Sequence, residues 1–150
     1  MQQTLSYDDV LLVPQSSDIT SRSQVDIGSS LDEKIHLEIP IISSPMDTIT
    51  EEDMALCMSL CGGMGVVHRY NNLEDQVSII AKTKFTNELA SIGAAVGMSG
   101  DFVERALAAR AAGANVICVD VAHGHHSMME RCLKTLRDKM GDDIHIMAGN

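Results

Sequence analysis

From residue 39 to the end of this chain, short apolar runs rich in β-branched residues alternate with stretches of helical periodicity, and no other feature restricts the possible folds so much. The runs fall at residues 39–43, 64–68, 91–96, 115–121 and 144–148, a repeat of roughly 25 residues. Strand and helix in regular alternation are the pattern of parallel βαβ units. Such strands are buried on both faces, so they read as continuous apolar runs instead of alternating ones. An open doubly wound sheet and a (β/α)8 barrel share this pattern. No GxGxxG follows the first run, which removes the main support for a dinucleotide-binding open sheet, and the even spacing fits the barrel better. A full barrel takes about 250 residues; this chain has 150. The expectation is therefore α/β: an N-terminal lead-in over residues 1–38, then residues 39–150 as the N-terminal half of a (β/α)8 TIM barrel, about the first five strands and four helices.

Each helical stretch carries its own start and stop signals. EEDMALCMSLCGG has Thr50 placed as N-cap with Asp53 three residues later, and Gly62-Gly63 as a stop. NNLEDQVSIIAKTK follows an Asn72 cap and puts Leu73, Val77 and Ile80 on one face. SGDFVERALAARAAGA sets Phe102, Ala106, Ala109 and Gly113 along one stripe, with Glu104 and Arg105 towards water. HSMMERCLKTLRDKMG is read as capped by Ser127 and ends at Gly141, with basic residues late in the helix.

Composition excludes several classes. Apolar residues make up 45% and charged ones 21%, which fits a globular chain and opposes disorder. No apolar stretch approaches the roughly 20 residues of a membrane span, and MQQTLSYDD lacks the basic and apolar parts of a signal peptide. The default is a cytoplasmic protein without a membrane partner. A net charge of −10 opposes nucleic-acid binding, which needs a basic face. Four cysteines without a framework of spacings read as reduced thiols, and Cys57 and Cys61 lack CxxC metal spacing. Ten methionines beside two tyrosines, two phenylalanines and no tryptophan read as fillers of core gaps.

In parallel α/β folds, chemistry gathers at the carboxyl ends of the strands, where helix N-termini direct free N–H groups. SSPMD, residues 43–47, is such an end. Its serine hydroxyls suit ligand binding, Pro45 stiffens the exit and Met46 offers a polarizable surface to a flat ring; the alternative is a turn that only caps the next helix. VDVAHGHH, residues 119–126, is a second. Asp120 there suits ribose hydroxyls and Gly124 a close backbone approach to a ligand, against the alternative of a solvated loop acid. His123, His125 and His126 lack a matched carboxylate or cysteine set, so no metal site is assigned. Cys118 lies in an apolar run and reads as a small core residue.

LSYDDVLLVPQSSDITSRSQVDI, PIISSPMDTITE, GGMGVVHR, IGAAVG, VDVAHGH and IMAGN, in that order, resemble the family of inosine 5′-monophosphate dehydrogenases and GMP reductases. The resemblance runs from about residue 5 to the last residue, and it is the combination of motifs that is specific. It implies a (β/α)8 barrel, usually tetrameric, with its active site at the carboxyl face. It also implies one of two reactions: oxidation of IMP to XMP with NAD through a cysteine thioimidate, aided by a monovalent cation such as potassium, or conversion of GMP to IMP and ammonia with NADPH. Covalent activation of the purine and hydride exchange with a stacked nicotinamide are common to both. Carried over by position, Ser44 and Met46 resemble residues that touch the nucleotide, and Asn150 an asparagine near the purine and ribose. Asp120 resembles the acid that binds the nicotinamide ribose, and Ala122 and His123 occupy the adjoining cofactor-facing turn.

The family's nucleophilic cysteine sits in a GSICTT-like loop after the sixth strand, and none of the four cysteines here matches it. No catalytic residue is therefore assigned within the chain, and the cation's ligands are also expected beyond it. SSPMDT and AHGH resemble the dehydrogenases, whereas SRSQVD and Asp-Val-Ala resemble the reductases. The CBS insertion common in dehydrogenases is absent from the connection between residues 67 and 92. The expectation is a dehydrogenase-like chain acting within a full-length homotetramer, with a reductase or a non-catalytic half-barrel as alternatives. The chain alone is expected to be inactive.

Overall fold

The computed structural model describes residues 3–150, and five parallel strands in consecutive order form its main sheet. These are β3 (Ile42–Ser43), β4 (Met64–Val67), β5 (Ile92–Val96), β6 (Val116–Asp120) and β7 (His145–Gly149). Before them, β1 (Ser29–Ser30) and β2 (His36–Leu37) form a small antiparallel hairpin. Helices α1 (Glu52–Leu60), α2 (Leu73–Thr86), α3 (Phe102–Ala111) and α4 (Ser127–Met140) connect the parallel strands in turn. Each strand pairs with its sequence neighbour, the winding expected of half a (β/α)8 barrel. The connection from β4 to β5 holds a single helix.

The two faces of the sheet bury different sets of side chains. Val67, Ile92, Ala94, Val96, Ile117 and Val119 pack outward against the helices, where Ile80, Ala106, Ala109 and Leu136 meet them. Met64, Val66, Ala95, Val116 and Cys118 point to the other face, the interior of the half-barrel. Burial on both sides explains why these strands read as unbroken apolar runs. The β1–β2 hairpin closes the inner cluster from the amino ends of the strands by inserting Ile35 and Leu37. Asp32 fixes the hairpin's turn: one carboxylate oxygen accepts the N–H groups of Lys34 and Ile35 at 2.7 and 2.9 Å, and the other lies 2.8 Å from His145 Nδ1. Residues 3–27 run largely exposed, with short 3₁₀ turns at Tyr7–Asp9 and Arg22–Gln24.

Four local expectations are corrected. Glu51, not Thr50, stands at the start of α1, because the Thr50 hydroxyl is turned inward to the Ser44 carbonyl at 2.6 Å. His126, not Ser127, caps α4; its Nδ1 accepts the Met128 N–H at 3.1 Å. The buried face of α2 is centred on Gln76, Ile80 and Thr83, leaving Leu73 and Val77 only half buried. Arg105 does not face water. It is buried, with Nε and Nη2 donating to Asp101 at 3.1 and 2.9 Å and Nη1 donating to Gln76 at 3.3 Å. The Asn72 cap on α2 and the stops at Gly62-Gly63 and Gly141 are as expected.

Candidate active site

The exits of β3, β4, β6 and β7 surround a cleft of about 540 Å³ at the carboxyl face of the sheet. Its shape begins with the chain's local chemistry at β3. The Ser44 carbonyl accepts the Thr50 hydroxyl and, at 2.8 Å, the Met46 N–H, while the Met46 carbonyl accepts the N–H groups of Ile49 and Thr50. Thr50 is fully buried and lies 2.9 Å from the Ser43 hydroxyl, so the whole SSPMD turn is locked from behind. Ser44 itself is exposed, and its hydroxyl makes no hydrogen bond among the described residues. It is free for a ligand.

Asp120 ends β6 on the inner face, and its carboxylate also has no hydrogen-bond partner among the described residues. Its carbonyl accepts Arg69 Nε at 3.3 Å, which joins the exits of β4 and β6. At the end of β7, Asn150 borders the cleft; its Nδ2 donates to the Ala122 carbonyl at 2.9 Å, and its side-chain oxygen has no hydrogen-bond partner among the described residues. Ser44, Met46, Asp120 and Asn150 thus line one cavity. Ala122 is tied to it through Asn150, whereas His123 lies outside the lining, edge to face with His126 at 6.2 Å. Gly124 packs closely on the neighbouring strand exit. A Cβ there would stand 3.2 Å from the Gly149 backbone, so the missing side chain lets the turn after β6 approach the β7 exit.

Sequence reasoning missed the β4 exit. Tyr70 lines the cleft, and Arg69 stands between it and a second hollow of about 300 Å³ bounded by Gly97, Ser99, Asp101, Arg105 and Met128. HRY follows a strand as SSPMD does, and that position was the signal available. Arg69 has no carboxylate partner among the described residues, which makes it a local cation in a chain of strong negative charge.

Cys118 lies two residues below Asp120 on the same inner face and also borders the cleft. Burial, and secondarily the Asp120 charge, push its thiol up to about 11. A thiol so protonated near neutral pH is a poor nucleophile. Iodoacetamide at about pH 7 is therefore expected to modify the exposed Cys57 and Cys61 and to spare Cys118. Labelling of Cys118 should appear only as the pH climbs towards about 11. Peptide mass mapping checks this, and rapid modification of Cys118 at neutral pH would contradict it.

A parallel half-barrel with free polar groups gathered at its strand exits has the architecture of one half of a (β/α)8 barrel. Residues 4–150 match the family model described as the IMP dehydrogenase / GMP reductase domain, and the chain belongs to that family. It is similar to the inosine-5'-monophosphate dehydrogenase of Cryptosporidium parvum, 32% identical over 187 aligned positions that take in 97% of this chain and 46% of that protein. The inosine-5'-monophosphate dehydrogenase of Nitrosopumilus maritimus (strain SCM1) is 46% identical over 83 residues, 55% of this chain and 17% of that protein. The GMP reductase of Leishmania donovani is 43% identical over 84 residues, 56% and 17% respectively. The chain thus spans less than half the length of these relatives. No helix among the described residues is long and apolar enough to cross a membrane.

Proposed function

We propose that the cleft holds a purine ribonucleotide beside a nicotinamide cofactor, as the N-terminal half of the active site of an IMP dehydrogenase-like oxidoreductase that converts IMP, NAD and water to XMP and NADH. The observation that carries this reading is the convergence of Ser44, Asp120 and Asn150 on one cavity in a chain of this family. In it, the Ser44 hydroxyl and the Asn150 side-chain oxygen hold the nucleotide, and Met46 packs on its ring. A half-buried carboxylate with no protein partner at a strand tip suits a ribose diol, which would donate two O–H bonds to it. Asp120 therefore fits NAD. The Ala122-His123 turn adjoins that ribose, and Arg69 offers a cation to the cofactor's phosphates. When bound, the nicotinamide supplies the hydride acceptor.

This chain's part in the reaction is to bind and orient. Following the family resemblance, the nucleophile of the full-length enzyme is assigned to a loop after the sixth strand of the barrel, and the monovalent cation's ligands also lie beyond this chain; burial holds the Cys118 thiol protonated, which fits its having no such role. The full-length protein is read as a cytoplasmic homotetramer. The chain alone is expected to produce no reduced-nicotinamide absorbance with IMP and NAD. A GMP reductase using NADPH is the second reading, favoured by the Asp-Val-Ala at residues 120–122 and by the similarity to the Leishmania donovani reductase.

Backbone amide NMR tests the binding roles. IMP is expected to shift the signals of Ser44, Met46 and Asn150, and NAD those of Asp120, Ala122 and His123. Shifts confined to the β1–β2 hairpin face, or none, would remove the reading.

A further inference from the structure

We propose that Tyr70 is the stacking platform of the cleft, the surface on which a flat heteroaromatic ring of the bound ligand lies. This rests on the nucleotide reading above and adds to it a residue that determines where the ring sits. Tyr70 leaves β4 at the cleft mouth and, among the described residues, is the one aromatic side chain lining it. It is 64% exposed. A large ring held in water at the rim of a cavity gains apolar burial and π contact when a second ring covers it.

The ring is also held in place before any ligand arrives. The Tyr70 backbone N–H donates to His68 Nδ1 at 3.1 Å, and the two rings stack with centroids 6.1 Å apart and planes 22° from parallel. His68 is buried, and because Nδ1 accepts, its Nε2–H is the group that donates to the Glu51 carboxylate. The Arg69 guanidinium lies 5.4 Å from the Tyr70 ring centre while its Nε reaches the Asp120 carbonyl. Tyr70 is thereby connected through neighbours to both α1 and β6. Such preorganisation reduces the ordering cost of binding.

The covering ring is a purine base or a nicotinamide, and three ligands separate the sources. IMP carries the first, nicotinamide mononucleotide the second, and ribose 5-phosphate neither. Tyr7→Phe leaves Tyr70 as the sole tyrosine in a chain without tryptophan, so its emission reports directly. In that background IMP or nicotinamide mononucleotide is expected to quench the emission, and ribose 5-phosphate to leave it unchanged. Tyr70→Leu should weaken the quenching ligand by about tenfold in calorimetry, with Tyr70→Phe within about twofold of the parent. Far-ultraviolet circular dichroism verifies that both variants fold. Equal affinity in Tyr70→Leu, a matching loss in Tyr70→Phe, or equal quenching by ribose 5-phosphate would each overturn the platform alone. A parent chain that binds neither IMP nor nicotinamide mononucleotide would overturn the nucleotide reading and the platform with it.

Discussion

Gln76→Leu is expected to cost the chain on the order of 3 kcal/mol, seen as a fall in melting temperature of roughly 6–12 °C. Gln76 is fully buried on α2, where its amide nitrogen shares two hydrogens among the carbonyls of Val67, His68 and Ala95 at 3.2, 2.9 and 2.9 Å. Its oxygen accepts from Arg105. One side chain thus binds the exits of β4 and β5 to α3. Leucine would fill much of the volume while stranding the carbonyls and removing one partner of a buried guanidinium. Adding Arg105→Met should recover part of the loss, since the stranded cation goes too; this non-additivity separates a polar network from simple packing. A melting temperature within about 1 °C of the parent would show that the network contributes nothing.

Gly65→Val is the second large expectation, with a loss of about 2–3 kcal/mol and weakened nucleotide binding. A Cβ at Gly65 would stand 3.0 Å from the Ala55 backbone and 3.3 Å from the Thr50 methyl. Ala55 is fully buried in α1, so relief requires the helix to move outward. Thr50 would move with it and release the Ser44 carbonyl, loosening the SSPMD turn that presents Ser44 to the cleft. Urea unfolding measures the first effect and IMP titration at low temperature the second. Unchanged affinity in the folded variant would mean that the turn is held by something other than Thr50.

The middle of the parallel sheet was legible because β4, β5 and β6 are buried on both faces, and that burial writes itself into the sequence as uninterrupted apolar runs. The place of the cleft followed from the same logic, since strand exits can be counted once strands are found. What escaped were interactions between distant positions. The Thr50 hydroxyl had two uses, a local cap or a bond to a carbonyl six residues earlier, and helical spacing favours only the first. Arg105 has the periodicity of a solvated residue, yet its partner Gln76 lies on another helix, 29 positions away. Tyr70 belongs to a loop without period. Only the fold brings it beside Asp120 and the β3 exit.

The bond from Asn150 to the Ala122 carbonyl, with Gly124 seated on the Gly149 backbone, makes the end of β7 and the turn after β6 one mechanical piece. Whatever freezes one of them freezes the other, so the conformational entropy of ordering both is lost once and not twice. The first ligand to arrive would leave a stiffer seat for the second, and the pair would bind with mutual reinforcement without any displacement of the strands.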